Sequence, residues 1–517
     1  MHTEQVCPIN DYLPTCNELL FDIGMQLREQ RGRSLSLVCF HSDEADVMLP
    51  HDTDLRRANT FLRWLLRTHV CIAGIEIQFK WAKTHSLTVL EELPEHCRLK
   101  KLIVQFPPVD TTEKHVATLI PRLRYLEELQ LFIPSYTDIA LSRTTDALLA
   151  AVSTLLRTTT CLTFLHFHAI FEHGHPLKTL IDALAANSTL KSLELWTSWT
   201  TAEQPGCLGE FMRSNRSLTK LTLYDANLDR AGLSLDEALL DHFTSLSLEL
   251  CEADQRWFSA LAKYVRATTV LRELRLAVSS PVDAAPLSCW TLLFDSISAN
   301  TSVADLSISC SDNLMCNERL ATTIGLSRYI TRVSYKMSRE RGDPTSFILP
   351  LSEAIADNYN LLEVHLSSGQ VGVEARRGLF TIRETTRRNS SLVECAAGFN
   401  QTTSPDWYTA NALEKVLRHP ALMRELAELE GIAACEVARM IRSRLRSVED
   451  LHDFMRITGV VKRCVTCYPP ADGCSVQLQD LNDDCWRLLR RYLSFDDVKR
   501  FAAGKPDDST PSRTTLS

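Results

Sequence analysis

A leucine pattern that returns at a near-constant interval is the strongest constraint on how this chain can fold. Its clearest copy is residues 215–228, NRSLTKLTLYDANL. Leu218, Leu221 and Leu223 are spaced L-x-x-L-x-L, Leu228 follows five residues on, and Asn215 stands three residues before Leu218. NSTLKSLEL (187–195), NTSVADLSI (300–308) and NSSLVECAA (389–397) repeat it, with weaker copies at 161–167, 270–276 and 361–366. The first apolar positions register as Ile72, Leu99, Leu126, Leu162, Leu190, Leu218, Phe243, Leu271, Val303, Ile330, Leu361 and Leu392, in steps of 25 to 36 residues. A period of that length holds one strand and one helix. One copy cannot bury its own leucines, so the units must stack and share a continuous core between a parallel sheet and a helix layer.

Over about residues 68–405 the chain resembles the ribonuclease-inhibitor-like class of leucine-rich repeats, also found in NOD-like receptors and some F-box proteins. The resemblance implies an α/β leucine-rich repeat solenoid of about twelve repeats, a curved parallel sheet with outer helices. Strands are expected at 99–104, 190–195, 218–223, 271–276 and 303–308. The asparagine that follows the last strand leucine in the most regular members is replaced by Ser198, Ala226, Cys251, Ser279, Ser311 and Gly369, and kept only as Asn400. Less regular curvature is expected.

The remaining segments read as caps. Residues 1–67 form an N-terminal cap: a helix at 17–28 with Leu19, Leu20, Ile23 and Leu27 on one face, a strand at 35–40 and a helix at 52–67. Within the repeats, 176–187 has the clearest helical periodicity (Leu177, Leu180, Ile181, Leu184, Ala185), ended by Asn187. Residues 406–463 form a helical C-terminal cap with helices at 410–418, 421–430, 435–446 and 448–458. There Val437, Met440, Ile441, Leu445 and Val448 make an apolar stripe and leave Arg439, Arg442, Arg444 and Arg446 to solvent. Residues 464–502 hold a cysteine-containing loop and a helical segment, and 503–517 a disordered polar tail.

Several function classes are excluded at this level. A net charge of −8 gives no general attraction to nucleic acid or to acidic membranes. No signal peptide and no run of membrane-spanning length is evident, so a cytoplasmic protein is expected, with its 17 cysteines reduced. Cys161, Cys251, Cys310 and Cys395 read as small buried strand residues. The only Gly-Lys pair, Gly504-Lys505, lacks the upstream glycine of a phosphate loop, and neither H-E-x-x-H nor G-x-S-x-G occurs. No nucleotide, cofactor or enzymatic activity is expected. The N-x-[ST] triplets at Asn187, Asn215, Asn300 and Asn389 are locked to the repeat, so they read as helix ends and not as glycosylation sites. His166, His168, His173 and His175 crowd together, but spacing alone does not converge them on a metal. Cys464-x-x-Cys467 with Cys474 and Cys485 has one knuckle where a zinc cluster has two, so no metal is assigned and zinc stays open.

Two candidate sites remain. Alternation along each strand turns its third, fifth and seventh residues away from the core, to the concave side. The seventh position of four consecutive repeats gives Phe132, His168, Trp196 and Tyr224, flanked by Phe164, His166 and Glu194. Aromatic residues dominate interface hot spots, so this stripe is the candidate protein-binding site. The second site is 478–501, which resembles the first half of an F-box: Leu481-Asn482 opens it, Asp484 follows, Trp486, Leu489 and Leu493 form the helix face, and Ser494, Asp497 and Val498 end it. The F-box likeness implies that Leu481, Trp486, Leu489 and Leu493 would meet a cullin–RING adaptor. The leading expectation is a non-enzymatic protein-interaction scaffold. The alternatives are a substrate receptor of a cullin–RING ubiquitin ligase and a GTPase-activating or other regulatory leucine-rich repeat protein.

Overall fold

The computed structural model describes residues 8–497, apart from 31–33, 40–51, 70, 79–88, 90, 94–97, 107–111, 134–141, 169–176, 197–206, 227–240, 251–254, 279–286, 311–313, 338–343, 368–370, 401–405, 449–450 and 460–481. The chain begins with α1 (Leu13–Phe21), β1 (Met25–Glu29), β2 (Leu35–Cys39), α2 (Asp52–Thr68), β3 (Ile72–Gln78), β4 (Lys101–Gln105) and α3 (Thr112–Leu119). It continues through β5 (Glu128–Phe132), α4 (Ser142–Thr158), β6 (Phe164–His168), α5 (Leu177–Ala186), β7 (Ser192–Trp196), α6 (Cys207–Ser214), β8 (Lys220–Ala226) and β9 (Ser245–Leu250). Next come α7 (Gln255–Ala267), β10 (Glu273–Val278), α8 (Leu287–Ala299), β11 (Asp305–Cys310), α9 (Leu314–Leu326), β12 (Arg332–Met337), α10 (Thr345–Ala354) and β13 (Glu363–Ser367). Among the described residues six α-helices follow: α11 (Val373–Ala396), α12 (Trp407–Arg418), α13 (Pro420–Glu430), α14 (Ala434–Arg446), α15 (Leu451–Ile457) and α16 (Asp483–Tyr492).

The strands form one 13-stranded sheet in chain order. β1 and β2 pair antiparallel, and every neighbouring pair from β2 to β11 is parallel. Parallel neighbours require crossover connections, and between most pairs a helix supplies it; between β3 and β4 and between β8 and β9 no complete helix is placed among the described residues. The result is an α/β architecture consistent with a repeat solenoid. No helix among the described residues is long and apolar enough to cross a membrane. By contact the chain divides into two compact units: Met1–Thr323 with Ser334–Pro344 and Leu366–Gln370, and Ile324–Val333 with Thr345–His365 and Val371–Ser517.

In the first unit the registered apolar residues are the deepest in the core. Leu162, Leu190, Leu218, Phe243, Leu271 and Val303 are fully buried. Each sits two residues ahead of its strand, so the strands begin later than the leucine spacing predicts. Asparagine explains the delay. Asn215 Oδ1 accepts from the amides of Ser217 (3.0 Å) and Leu218 (3.1 Å), and its Nδ2 donates to the carbonyls of Leu184 (2.7 Å) and Asn187 (2.9 Å) in the repeat before. Asn187 and Asn300 hold the same turn in the same way. Where asparagine is absent, Thr159 and Thr268 accept from the two turn amides with their hydroxyls. The leucine amide is thereby spent on the turn and does not enter the ladder.

Three sequence expectations are corrected here. The helix expected over 17–28 ends at Phe21, and the chain turns at Gly24, whose φ of +67° is one that L-residues with a Cβ avoid. Asn17 then fixes the returning strand β1 by accepting from the Leu27 amide (2.6 Å) and donating to its carbonyl (3.1 Å). The twelfth registered position, Leu392, lies inside α11 and not on a strand. Cys395 is exposed on that helix, and Cys161 is half-buried in the turn before β6, so neither is a buried strand residue; Cys251 lies outside the described residues.

The second unit has a helical core. Leu413, Val416, Leu422, Leu426, Val437 and Ile441 pack together, with Met440 and Leu445 at its edge. The four helices expected over 410–458 occur with small shifts at their ends. Arg439, Arg442 and Arg446 are exposed, and Arg444 is half-buried. Asn358 and Asn389 continue the turn chemistry: Asn358 Oδ1 accepts from the Asn360 and Leu361 amides, and Asn389 Nδ2 donates to the carbonyls of Asn358 and Leu361. All of Asn187, Asn215, Asn300 and Asn389 are buried and hydrogen-bonded, which removes them as sugar acceptors in the folded chain.

Candidate functional site

Strand register builds a grid on the sheet face opposite the buried leucines. Along β6, β7 and β8 the core takes Leu165, Phe167, Leu193, Leu195, Leu221 and Leu223. The residues between them face the other way. Phe164, Ser192, Lys220, Ser245 and Glu273 are successive register partners in the first row. His166, Glu194, Thr222, Ser247 and Arg275 form the second. The third begins with the partners Phe132 and His168 and ends with the partners Trp196 and Tyr224.

The third row is a run of touching rings. His168 stacks on Trp196, with centroids 4.3 Å apart and planes 9° from parallel, and Trp196 stacks on Tyr224 at 5.6 Å and 20°. Phe132 meets His168 edge-on at 6.3 Å. All four rings are half-buried.

The second row lies partly under this run, which corrects the expected surface position of His166. The Phe132 ring is 4.4 Å from its ring, and only 8% of its surface is exposed. Its Nδ1 is 2.7 Å from Glu194 Oε2, and the Tyr224 hydroxyl donates to the same oxygen at 3.2 Å. The hydrogen bond from His166 holds the Glu194 carboxyl below its ordinary range against the opposing effect of burial. Burial, then the Glu194 charge, pushes the Tyr224 phenol up to about 12. Burial lowers His168, and so does the neighbouring His166. His166 Nε2 and Trp196 Nε1 are buried with no hydrogen-bond partner among the described residues. The Glu194 carboxylate is therefore held between His166 on β6 and the Tyr224 hydroxyl on β8, which together set its orientation.

Beside the rings lies a cavity of about 480 Å³ between the first two rows, reaching Tyr224 at one end and Lys191 and Lys220 at the other. Phe164 lines it. The sequence reading missed this half of the face. Its signal is legible in the sequence: the third and fifth positions of the repeats at Leu190, Leu218, Phe243 and Leu271 are all polar.

The C-terminal candidate is placed in part. Leu481 lies outside the described residues, as do His173, His175, Cys464, Cys467 and Cys474, and Cys485 is half-buried in α16. Asn482 caps that helix by accepting from the Cys485 amide at 2.9 Å. Trp486 lies on the helix. Leu489 and Leu493 are exposed, together with Leu488 and Tyr492. The residues that hold the segment down were not singled out from sequence. Phe495 is fully buried against Phe454, the Arg490 guanidinium lies 4.1 Å over the Phe454 ring, the Phe495 amide donates to Glu414 (3.0 Å), and Lys415 pairs with Asp496.

No family model matches the chain, and no curated protein is similar to it in sequence.

Proposed function

We propose that this chain is a non-enzymatic leucine-rich repeat scaffold of the ribonuclease-inhibitor-like type that binds a protein partner on its sheet face. Phe132, His168, Trp196 and Tyr224 would carry the contact, with Phe164, His166 and Glu194 around them. The observation that supports this reading is the run of stacked, half-exposed rings on strands anchored by buried leucines. Rings already held by neighbours lose little freedom on binding and offer large apolar area, the combination found at interface hot spots. The test is affinity capture from cell extract with the full chain and with the Trp196→Ala, Tyr224→Ala double variant. Capture should be lost while the variant keeps a cooperative melt, lowered by the loss of the Tyr224–Glu194 hydrogen bond. Unchanged capture would place the contact elsewhere.

A second reading, a substrate receptor of a cullin–RING ligase, draws support from α16. That helix is docked by Phe495 and Arg490 yet leaves Leu488, Leu489, Tyr492 and Leu493 exposed, an apolar patch of the sort that marks a contact surface. Pull-down of a cullin adaptor, abolished by Leu489→Ala with Tyr492→Ala, would favour it.

A further inference from the structure

The cavity beside the rings carries its charges unevenly. Both of its carboxylates are already satisfied within the face. Glu194 accepts from His166 and Tyr224, and Glu273 accepts from Ser245 Oγ at 2.8 Å and from Arg275 Nε at 2.6 Å. Arg275 is committed by the same contact. The ammonium groups of Lys191 and Lys220 are different: both are exposed, and neither has an ion pair or side-chain hydrogen bond among the described residues. Lys336 on β12 is likewise exposed and unpaired among the described residues, whereas the lysines at the start of β4 are paired. Lys101 on β4 pairs with Glu128 on β5 at 2.7 Å, and Lys100 and Glu127, each one residue ahead of those strands, pair at 2.9 Å.

Register brings the two free cations together. Lys220 pairs with Ser192, the residue after Lys191, on strands about 4.8 Å apart. Tyr224 lies four residues further along β8, about 13 Å away. Thr222 and Ser247 occupy the interval and offer hydroxyls but no charge. In a chain of net charge −8, this is a local reversal of sign next to an apolar run.

We infer that the segment bound on this face is an acidic peptide in extended conformation, its carboxylates set against Lys191 and Lys220 and an apolar side chain on the Trp196 and Tyr224 rings. The inference rests on the partner-binding reading above and adds the partner's chemistry. Exposed charges of this kind steer encounter and fix register more than they add raw affinity. An extended segment covers the distance from the lysines to the rings in about four residues.

The experiment is selection of random-sequence displayed peptides on the immobilised full chain, followed by affinity measurement of the selected peptides over a range of salt. The expected peptides carry Asp or Glu about three to five residues from an aromatic or leucine residue. Their binding should weaken as salt rises, and Lys191→Gln with Lys220→Gln should reduce it about tenfold and flatten the salt dependence. Both lysines are exposed, so the melting temperature should stay at the wild-type value. Peptides without an acidic bias, or with a basic one, would overturn the inference. Peptides lost with Trp196→Ala and Tyr224→Ala but indifferent to the lysine variant would overturn it while leaving the ring-mediated reading standing. Acidic peptides that need the lysines but not the rings would overturn both the ring contact of this inference and the ring-mediated reading beneath it.

Discussion

Asn215 makes five hydrogen bonds with a side chain that water barely reaches. Its three acceptor contacts, from the Ser217 amide and hydroxyl and the Leu218 amide, close its own turn, and its two donor contacts reach the preceding repeat. Removing the amide would leave backbone groups of two repeats unsatisfied in the core, and each buried group left so costs about 1–3 kcal/mol. Asn215→Ala should therefore destabilise the chain by about 2–4 kcal/mol in a urea titration. Asn215→Thr should cost less, because Thr159 and Thr268 show that a hydroxyl can still serve the turn amides. Equal stability of the alanine variant and wild type would show that the donor contacts are dispensable. The triplet N-x-[ST] was legible in the sequence, but this role was not. Its acceptor atoms lie 28 to 35 residues upstream and come within reach only when repeats stack.

At the scale of elements, the leucine spacing placed strands well because their burial has a strict period of two. Leu193 and Leu195 are buried, and Ser192, Glu194 and Trp196 between them are not. Leu193→Ala should cost about 2–5 kcal/mol, the range for a leucine that packs on all sides. An unshifted thermal melt would contradict its place in the core. The spacing failed where two periods coincide. Leu20, Ile23 and Leu27 fit a helical face, yet Ile23, Met25 and Leu27 fit a strand equally well, and all three are buried. Gly24 and the Asn17 contact decide for the strand, and neither is a periodic signal. The copy at 389–397 failed for the opposite reason. Its buried residues Asn389, Val393 and Ala396 fall three to four apart, a helical interval, although its first four letters match the other repeats.

At the scale of the molecule, the ring row could be found by register arithmetic alone, since it needs only the seventh residue of each copy. The lysine pair could not, because Lys191 precedes its strand and Lys220 opens the next. They meet through the turn geometry that the asparagines impose. That geometry also makes the repeat an editable unit. Each asparagine side chain joins its repeat to the one before, so the chain resembles a sentence that can be cut only at its commas. Deleting residues 188–215, one interval of 28, would bring Arg216, Ser217 and Leu218 directly after Asn187. Asn187 would keep its donor contact to Leu156 and find the amides of Ser217 and Leu218 where those of Thr189 and Leu190 had been. The shortened chain should still unfold cooperatively by circular dichroism, since a stacked repeat depends only on its neighbours. A deletion offset by half an interval should not. In the first product Tyr224 would stand beside His168 with Trp196 gone, so a whole-repeat cut changes what the face can hold while sparing the fold that presents it.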